Sequence, residues 1–461
     1  MATDVKRRGE VDMTQGSIAS KLVRFSLPLM ATSILQLLYN AADTMVVGRF
    51  AGADALAAVG STGALINLFI FLFTGFSLGG NVVIAQANGE KDPDKISRAV
   101  HTTVALALVS GVVALILGVM LTRPLLIATG VPEEVLDGAQ LYMTLVLLGS
   151  PANMLYNFGS SILRAMGDTR RPLIYLSISG AVNVLLNLVL VILCKMGVAG
   201  VAIATVASQV LSAIFVVVYL MRAEGSIHLN LRKLRLEKEF VAPIIRIGLP
   251  SGIQSSMFSI SNTLLQGAVN SQGAVVMAGH AAANSLCGFT QVTMSAFATA
   301  IITFVSTNRG ARLYQRVRRG MWTAMGIGMC ISVPVGMAFL CVGESLLGLY
   351  NSDPEVIKWG MVNLGIQLPT YFLCGTMEIS SAQMRGLRYS FSSMIVNILG
   401  ICGFRIFWIY TVFAKNPTMR TLYMAYPVSW ILTTLAFLAI YFAAALPRLR
   451  KEEQEMKNAG I

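Results

Sequence analysis

Charged residues are scarce in this sequence. Only 12% of its 461 residues are Asp, Glu, Lys or Arg, and only 3 are histidine, whereas about a quarter of an ordinary globular domain is charged. Hydrophobic residues make up 55% of the chain. This composition excludes a typical water-soluble domain and predicts a membrane protein.

The sequence also lacks the patterns of common metal and catalytic sites. Its 6 cysteines show no CxxC or Cys/His spacing, so we interpret them as packing residues. No HExxH or Walker sequence is present. We therefore predict a protein that is not an enzyme and needs no cofactor. A membrane-embedded enzyme is the least favoured alternative.

Apolar segments of membrane-spanning length occupy nearly the whole chain. A helix needs about 20 apolar residues to cross a bilayer core of about 30 Å. We predict an all-α membrane protein with twelve transmembrane helices, at residues 22–48, 57–86, 99–122, 138–161, 172–194, 198–221, 240–270, 277–307, 321–343, 357–383, 390–413 and 422–446. Residues 1–21 are polar and lack the short apolar core of a cleavable signal peptide.

The net charge of +13 is unevenly placed along the chain. If both termini are cytoplasmic, most basic residues lie on the cytoplasmic side, and the outer segments keep only Arg49, Arg123, Lys195, Lys358, Lys415 and Arg420. Cytoplasmic loops of membrane proteins carry such an excess of Lys and Arg. We therefore predict a multi-pass protein of the cell (inner) membrane, with the lipid bilayer and not nucleic acid as its partner.

The two halves of the chain resemble each other at an offset of 222 residues. The segment "RFSLPLMATSILQLLYN" aligns with "RIGLPSGIQSSMFSISN", and Pro132-Glu133 aligns with Pro354-Glu355. Six helices per copy bring both copies into the membrane from the same side, which predicts two six-helix lobes related by a parallel internal repeat. The predicted organisation is a cytoplasmic N-terminal segment 1–21, lobes 22–221 and 240–446, a cytoplasmic linker 222–239 and a cytoplasmic tail 447–461.

Polar side chains interrupt the first apolar segment. Ser33, Gln36, Asn40 and Asp43 follow spacings of three, four and three, which places them on one helical face. Unpaired polar groups that face lipid are costly, so this face is expected to turn toward protein or a water-filled cavity. An interfacial position of Asp43, close to Arg49, is the alternative.

Other polar residues of the first half share helical spacing. Asn183 and Asn187 lie four residues apart, and Thr205 begins a stripe with Ser208. Each could serve in helix packing through an interhelical hydrogen bond. Together with Asp43, they could instead supply oxygen ligands for a small cation, or hydrogen-bond partners for a carboxylate that gains and loses a proton.

Five stretches carry a resemblance that covers roughly residues 15–445. They are "LPLMATSILQLLYNAADTMVVGRFAGADALAAVG", "LRAMGDTRRP", "GVAGVAIATVASQ", "AGHAAANSL" and "NILGICGFRIFWIYTVF". In their order and spacing, the chain is similar to the multidrug and toxic compound extrusion family, and more closely to its prokaryotic branch similar to DNA-damage-inducible protein F.

This resemblance implies a two-lobed bundle that exports organic, often cationic, compounds in exchange for protons or sodium ions by alternating access. It implies ion coupling at Asp43, with Tyr142, Asn183 and Thr205 as polar partners. Asn187 stands where the branch often has an aspartate. A single carboxylate holds sodium less well, which favours a proton cycle on Asp43 and leaves sodium at Asp43 open through neutral oxygens.

Substrate contacts are predicted in both halves, at Gln36, Asn40, Met257, Phe258, Glu378 and Arg405. Met and aromatic side chains can form an adaptable apolar wall, and Glu378 either binds a cationic substrate or pairs with Arg405. We expect small-molecule organic substrates and a protein that acts as a monomer. A lipid-linked oligosaccharide flippase of the same superfamily is the alternative, for which more basic residues would be expected in the central cavity.

Overall fold

The computed structural model describes residues 10–458, which form helices and no strand. The first half contains α1 (Ile18–Val46), α2 (Ala53–Glu90), α3 (Pro93–Ala128), α4 (Glu133–Leu148), α5 (Ser150–Ala165), α6 (Arg170–Asn187) and α7 (Gly197–Arg222). The second half contains α8 (Lys238–Asn270), α9 (Ala274–Gly310), α10 (Tyr314–Cys341), α11 (Gly343–Gly348), α12 (Pro354–Gly386), α13 (Ser390–Asn397), α14 (Phe404–Trp408), α15 (Met419–Ile440) and α16 (Leu446–Asn458).

Each of the predicted apolar windows lies on helices. Within residues 10–458, 9 helical spans are long and apolar enough, by length and composition, to cross a membrane. The windows 138–161, 240–270 and 357–383 fall outside those spans and still form helices, namely α4 with α5, α8, and α12. The prediction of an all-α membrane fold is therefore confirmed.

Irregular turns interrupt several of these spans. Pro151 has no N–H to donate, and the helix breaks at Gly149 just before it, between α4 and α5. Other helices are extended by π-helical turns at Val47–Ala51, Leu188–Leu193, Ile398–Gly403, Ile409–Phe413 and Tyr441–Ala445. Such turns are frequent at functional sites, and the first two directly follow α1 and α6.

The chain forms two compact units. The first unit comprises residues 10–12 and Leu27–Ser256, and the second unit comprises Met13–Ser26 and residues 257–458. The boundaries after Ser26 and after Ser256 fall inside helices, so α1 and α8 each contribute one part to each unit.

In the first unit, α2 packs against α3, α4 and α5. Leu65, Leu126 and Met143 are buried in their shared core. The part of α8 in this unit passes very close to α2, because a Cβ atom on Gly75 would lie only 2.4 Å from the backbone N of Gly252. Glycine at this crossing therefore lets the two backbones approach.

Polar contacts fix the predicted linker to the start of α3. Asn230 donates its backbone N–H to His101 Nε2 at 3.0 Å. Arg98 forms salt bridges with Glu237 and Glu239. The segment 222–239 is thus held against α3 within the first unit.

In the second unit, α12 packs against α9, α10 and α15. The segment Met13–Ser26 belongs to this unit and is held there by backbone contacts. Asn308 donates from Nδ2 to Met13 O at 3.0 Å, and Arg316 donates from Nη1 to Gly16 O at 2.9 Å. Two polar side chains of α9 and α10 therefore anchor the chain just before α1.

Candidate functional site

A polar contact joins α1 and α6 in the first unit. Asn187 donates from Nδ2 to Asp43 Oδ1 at 2.5 Å and to Asn183 Oδ1 at 3.3 Å. Asn183 and Asn187 are buried, and Asp43 is partly buried. The structure therefore brings together three residues that the sequence suggested for ion coupling.

Tyr142 and apolar side chains surround this contact. Tyr142 lies on α4, is partly buried and interacts electrostatically with Asp43. It packs against a buried cluster that consists of Val46, Val47, Ala55, Val191 and Val201. Residues of α1, α2, α4 and α7, and of the π-helical turns that follow α1 and α6, therefore pack together here.

Asn187 carries an acceptor that is not satisfied. Its Oδ1 atom is buried and has no hydrogen-bond partner among the described residues. A buried polar group without a partner costs about 1–3 kcal/mol. The same amide group already contacts Asp43, so its oxygen is available to a protonated Asp43 after a rotation of the amide. Together with Asp43 and the Asn183 carbonyl oxygen, it also offers the oxygen ligands that small hard cations prefer.

Tyr39 and Gly180 position α1 against α6, and sequence reasoning missed both. Tyr39 donates from its hydroxyl to Ser177 O at 3.1 Å. Its ring covers Gly180 so closely that a Cβ atom there would lie 1.9 Å from ring carbon Cε2. Their sequence spacing indicates the same helical faces, because Tyr39 precedes Asp43 by one helical turn and Gly180 precedes Asn187 by two.

The other predicted residues of the first unit lie apart from this contact. Thr205 donates its hydroxyl to Val201 O of its own helix at 2.9 Å. Gln36 and Asn40 are exposed on α1. The polar stripe on α1 thus runs from the exposed amides of Gln36 and Asn40 to the partly buried carboxylate of Asp43. The hydrogen bond of the Thr205 hydroxyl stays within α7.

Arg405 is the centre of polar contacts in the second unit. It is 1% exposed, and it donates from Nη1 to Asn262 Oδ1 and from Nε to Ser429 Oγ, both at 3.3 Å. Its guanidinium carbon lies 5.8 Å from the ring centroid of Phe258 and 4.5 Å from that of Tyr426. Phe258 and Arg405, two of the predicted substrate-binding residues, therefore lie side by side in the second unit.

Glu378 does not pair with Arg405. No ion pair joins the two side chains in the described structure, and the charge that acts on Glu378 is that of Arg385. Met257, the neighbour of Phe258, contributes its backbone carbonyl as an acceptor for Cys402 Sγ at 3.2 Å. Of the two alternatives for Glu378, pairing with Arg405 is therefore the one that the structure does not support.

A second buried polar cluster lies around His280 on α9. The imidazole contacts Tyr423 OH, Asn363 Nδ2 and Asn284 Nδ2 at 3.2, 3.2 and 2.8 Å. Gln367 donates to Asn363 Oδ1 at 2.5 Å. The ring of His280 also stacks on that of Tyr423 with 5.6 Å between centroids. This cluster joins α9, α12 and α15.

Comparisons with known proteins agree with this architecture. The MatE family model matches residues 28–189 and 250–411, two segments of equal length whose offset of 222 residues confirms the predicted internal repeat. The chain is 28% identical over 401 residues to a probable multidrug resistance protein, YoeA, of Bacillus subtilis, which covers 85% of this chain and 86% of that protein. It is 25% identical over 395 residues to a probable multidrug resistance protein, NorM, of Thermotoga maritima, which covers 83% of each.

The fold also agrees with a solved structure. This structure is the outward-facing conformation of a multidrug resistance MATE family transporter of the MOP superfamily. The TM-score is 0.88 at 23% sequence identity, and the match covers 96% of this chain and 99% of the other. The bundle of twelve membrane-spanning helices predicted from the apolar windows is therefore the fold of this chain.

Proposed function

The chain belongs to the multidrug and toxic compound extrusion (MatE) family, and from this membership we propose that it is a secondary active multidrug efflux antiporter. It exports organic, often cationic, compounds in exchange for protons or sodium ions by alternating access. The names of the relatives, which are multidrug resistance proteins, support small organic molecules as its substrates.

The observation that carries the proposal is the contact between Asp43 and Asn187 at 2.5 Å. Ionisable groups within membrane helices are rare and expensive, and they usually mark ion or proton pathways. Here the carboxylate lies between helices and contacts one neutral amide, and no basic side chain of residues 10–458 forms an ion pair with it. A mobile cation is the simplest partner for it.

The coupling ion acts by removing the charge of Asp43. An ionised Asp43 accepts the N–H of Asn187, whereas a protonated Asp43 donates to the unsatisfied Asn187 Oδ1. A sodium ion would be held by the oxygens of Asp43, Asn183 and Asn187. Either ion changes the hydrogen bonds between α1 and α6, and this change is the event that exchanges the two access states.

The orientation of the protein in the membrane sets the direction of transport, and the ion gradient across the membrane supplies its energy. The excess of Lys and Arg on one side supports cytoplasmic termini in the cell membrane. One charge that crosses the membrane releases about 2.3 kcal/mol per 100 mV. Export is coupled to the ion gradient only if the protein does not change between its two access states while neither substrate nor ion is bound. The protein performs this cycle as a monomer.

The test is transport into or out of proteoliposomes with proton and sodium gradients imposed separately. Wild-type protein is expected to export a cationic dye under at least one of the gradients. Asp43→Asn keeps the acceptor for Asn187 but not the charge, so it is expected to fold and to lose gradient-driven export. Asp137→Asn, at an exposed position of α4 in the same unit, is the matched control and keeps full export.

Two outcomes would refute the proposal. Wild-type rates of gradient-driven export in Asp43→Asn would remove Asp43 from ion coupling. Export by the wild-type protein that is unchanged when both gradients are collapsed would remove the antiport mechanism.

A further inference from the structure

The second unit contains a buried cation without an acidic partner. Arg405 is 1% exposed. Within the described residues, no carboxylate lies within ion-pair distance of its guanidinium, and its hydrogen bonds go to the neutral side chains of Asn262 and Ser429. A buried guanidinium without a counter-charge is costly, and charged residues inside membrane helices are functional sites by default.

The polar contacts of Arg405 are weak and incomplete. Its bonds to Asn262 Oδ1 and Ser429 Oγ are both 3.3 Å long, beyond the usual 2.7–3.2 Å. These two bonds use Nε and Nη1 of the guanidinium. Since both acceptors are neutral and distant, an anion that replaced one of them would gain a stronger, charge-assisted hydrogen bond.

Aromatic rings hold the guanidinium in place. Tyr426 and Phe258 lie at 4.5 and 5.8 Å from its central carbon. Stacking of this kind restrains the guanidinium and leaves its N–H edge available. A planar guanidinium with a free edge matches the two oxygens of a carboxylate or phosphate.

The position within the internal repeat supports a binding role. At the offset of 222 residues, Arg405 corresponds to Asn183 and Asn262 corresponds to Asn40. Asn262 is exposed on α8, as Asn40 is on α1, although Arg405 itself is buried. A molecule at the exposed side of Asn262 therefore needs to displace only one amide oxygen to reach the guanidinium.

We propose that Arg405 binds the anionic head group, a carboxylate or a phosphate, of an amphiphilic substrate, which takes the place of Asn262 Oδ1. Phe258 and Tyr426 border the head group, and the apolar body of the substrate lies beyond Asn262. This inference names a substrate class for the export proposed above and therefore rests on that function.

Binding to protein in lipid nanodiscs, without any gradient, tests the inference separately from transport. The probes are dansylaminoundecanoate and the cationic dansylaminoundecyl-trimethylammonium, with empty nanodiscs as blanks. Arg405→Gln is expected to lower the ratio of anionic to cationic affinity at least tenfold, and Arg405→Lys to lower it less. Arg420→Gln removes a charge from an exposed position of the same unit and is the matched control.

A second variant covers the case in which Arg405→Gln does not fold. Asn262→Asp places a carboxylate on the guanidinium, so it is expected to fold well and to exclude the anionic probe at least tenfold. An unchanged affinity ratio in Asn262→Asp, or in a folded Arg405→Gln, overturns the inference. Loss of export in Asp43→Asn with normal binding of the anionic probe would leave the inference in place.

The source of the anion is distinguished by the lipid. Nanodiscs of phosphatidylcholine alone are compared with nanodiscs that also contain phosphatidylglycerol. Competition by phosphatidylglycerol that disappears in Asn262→Asp identifies a lipid phosphate as the ligand. Probe binding that depends on Arg405 and is equal in both lipids identifies a free organic anion.

Discussion

The two units use the same helix pair of the repeat with opposite charge. In the first unit, α1 meets α6 through the carboxylate of Asp43 and the amides of Asn183 and Asn187. In the second unit, α8 meets α14 through the guanidinium of Arg405 and the amide of Asn262. The duplicated framework has thus kept a polar contact between the same two spans, about one helical turn apart in the two units, and reversed the charge in it.

The difference shows how a repeat can divide its tasks. A lone carboxylate attracts a small cation, and a lone guanidinium attracts an anion. At the repeat position of Asp43, the second unit has Leu265, which is 1% exposed in a core with Val269, Val276 and Phe413. The second unit therefore surrounds this position with apolar side chains that could not solvate a carboxylate, whereas the first unit depends on one.

The largest effect is expected when Leu265 is replaced by aspartate, the residue at the corresponding position 43 of the first unit. Leu265→Asp places an ionisable group in a closed apolar core, which we expect to destabilise the protein by about 4 kcal/mol or more. The measurement is the yield and apparent melting temperature of folded protein in detergent. Leu265→Met, which keeps the volume, is the control and costs less than about 1.5 kcal/mol. A stable Leu265→Asp protein would show that the two positions differ less than their surroundings indicate.

The next largest effect is expected at the contact between Asp43 and Asn187 in the first unit. Asn187→Asp adds a second carboxylate beside Asp43, so a sodium ion gains a second negative charge among its ligands, and a protonated Asp43 loses its neutral amide partner. We expect half-maximal sodium-driven export at a sodium concentration at least tenfold lower than in the wild type. Asn153→Asp on α5 introduces the same charge in the same unit and is the control. If both variants shift the sodium dependence equally, the effect is one of overall charge and not of the contact with Asp43.

Much of this architecture could be predicted from the sequence, for a simple physical reason. A bilayer requires long apolar helices, so their number and approximate limits are visible in the hydrophobic windows. Helical spacing also selected Asp43, Asn183 and Asn187, because residues three or four apart share a face. The offset of 222 residues was visible in identical residues at matching positions.

The partners of each face could not be predicted in the same way. Spacing shows which residues share a face but not which helix packs against it. The Thr205 hydroxyl bonds to its own helix, and the Tyr39 ring covers Gly180. Both contacts depend on distances between atoms in the folded chain, and helical periodicity does not give those distances. Glu378 and Arg405 were possible partners by sequence alone, yet the described structure gives Arg405 two neutral acceptors.

A smaller effect is expected where α1 rests on α6. Gly180→Ala places a methyl group in the ring of Tyr39, and we expect a loss of about 1–3 kcal/mol of stability with reduced gradient-driven export. Alanine normally favours a helix over glycine by about 1 kcal/mol. Gly63→Ala on α2, where a Cβ atom would meet nothing within 4 Å, is therefore the control and should be neutral or stabilising. Equal stability of the two variants would mean that α1 can move from α6 without cost.

The smallest effect concerns the buried cluster of the second unit. Tyr423→Phe removes the hydroxyl at 3.2 Å from His280 Nδ1 and keeps the stacked ring. We expect a loss of about 0.5–1.5 kcal/mol of stability and unchanged gradient-driven export, since none of the residues in this cluster takes part in the contact between Asp43 and Asn187. Tyr350→Phe, at an exposed position, is the control for the loss of a hydroxyl. Loss of export in Tyr423→Phe as large as that in Asp43→Asn would place ion coupling in both units, and the division of tasks by charge would then be wrong.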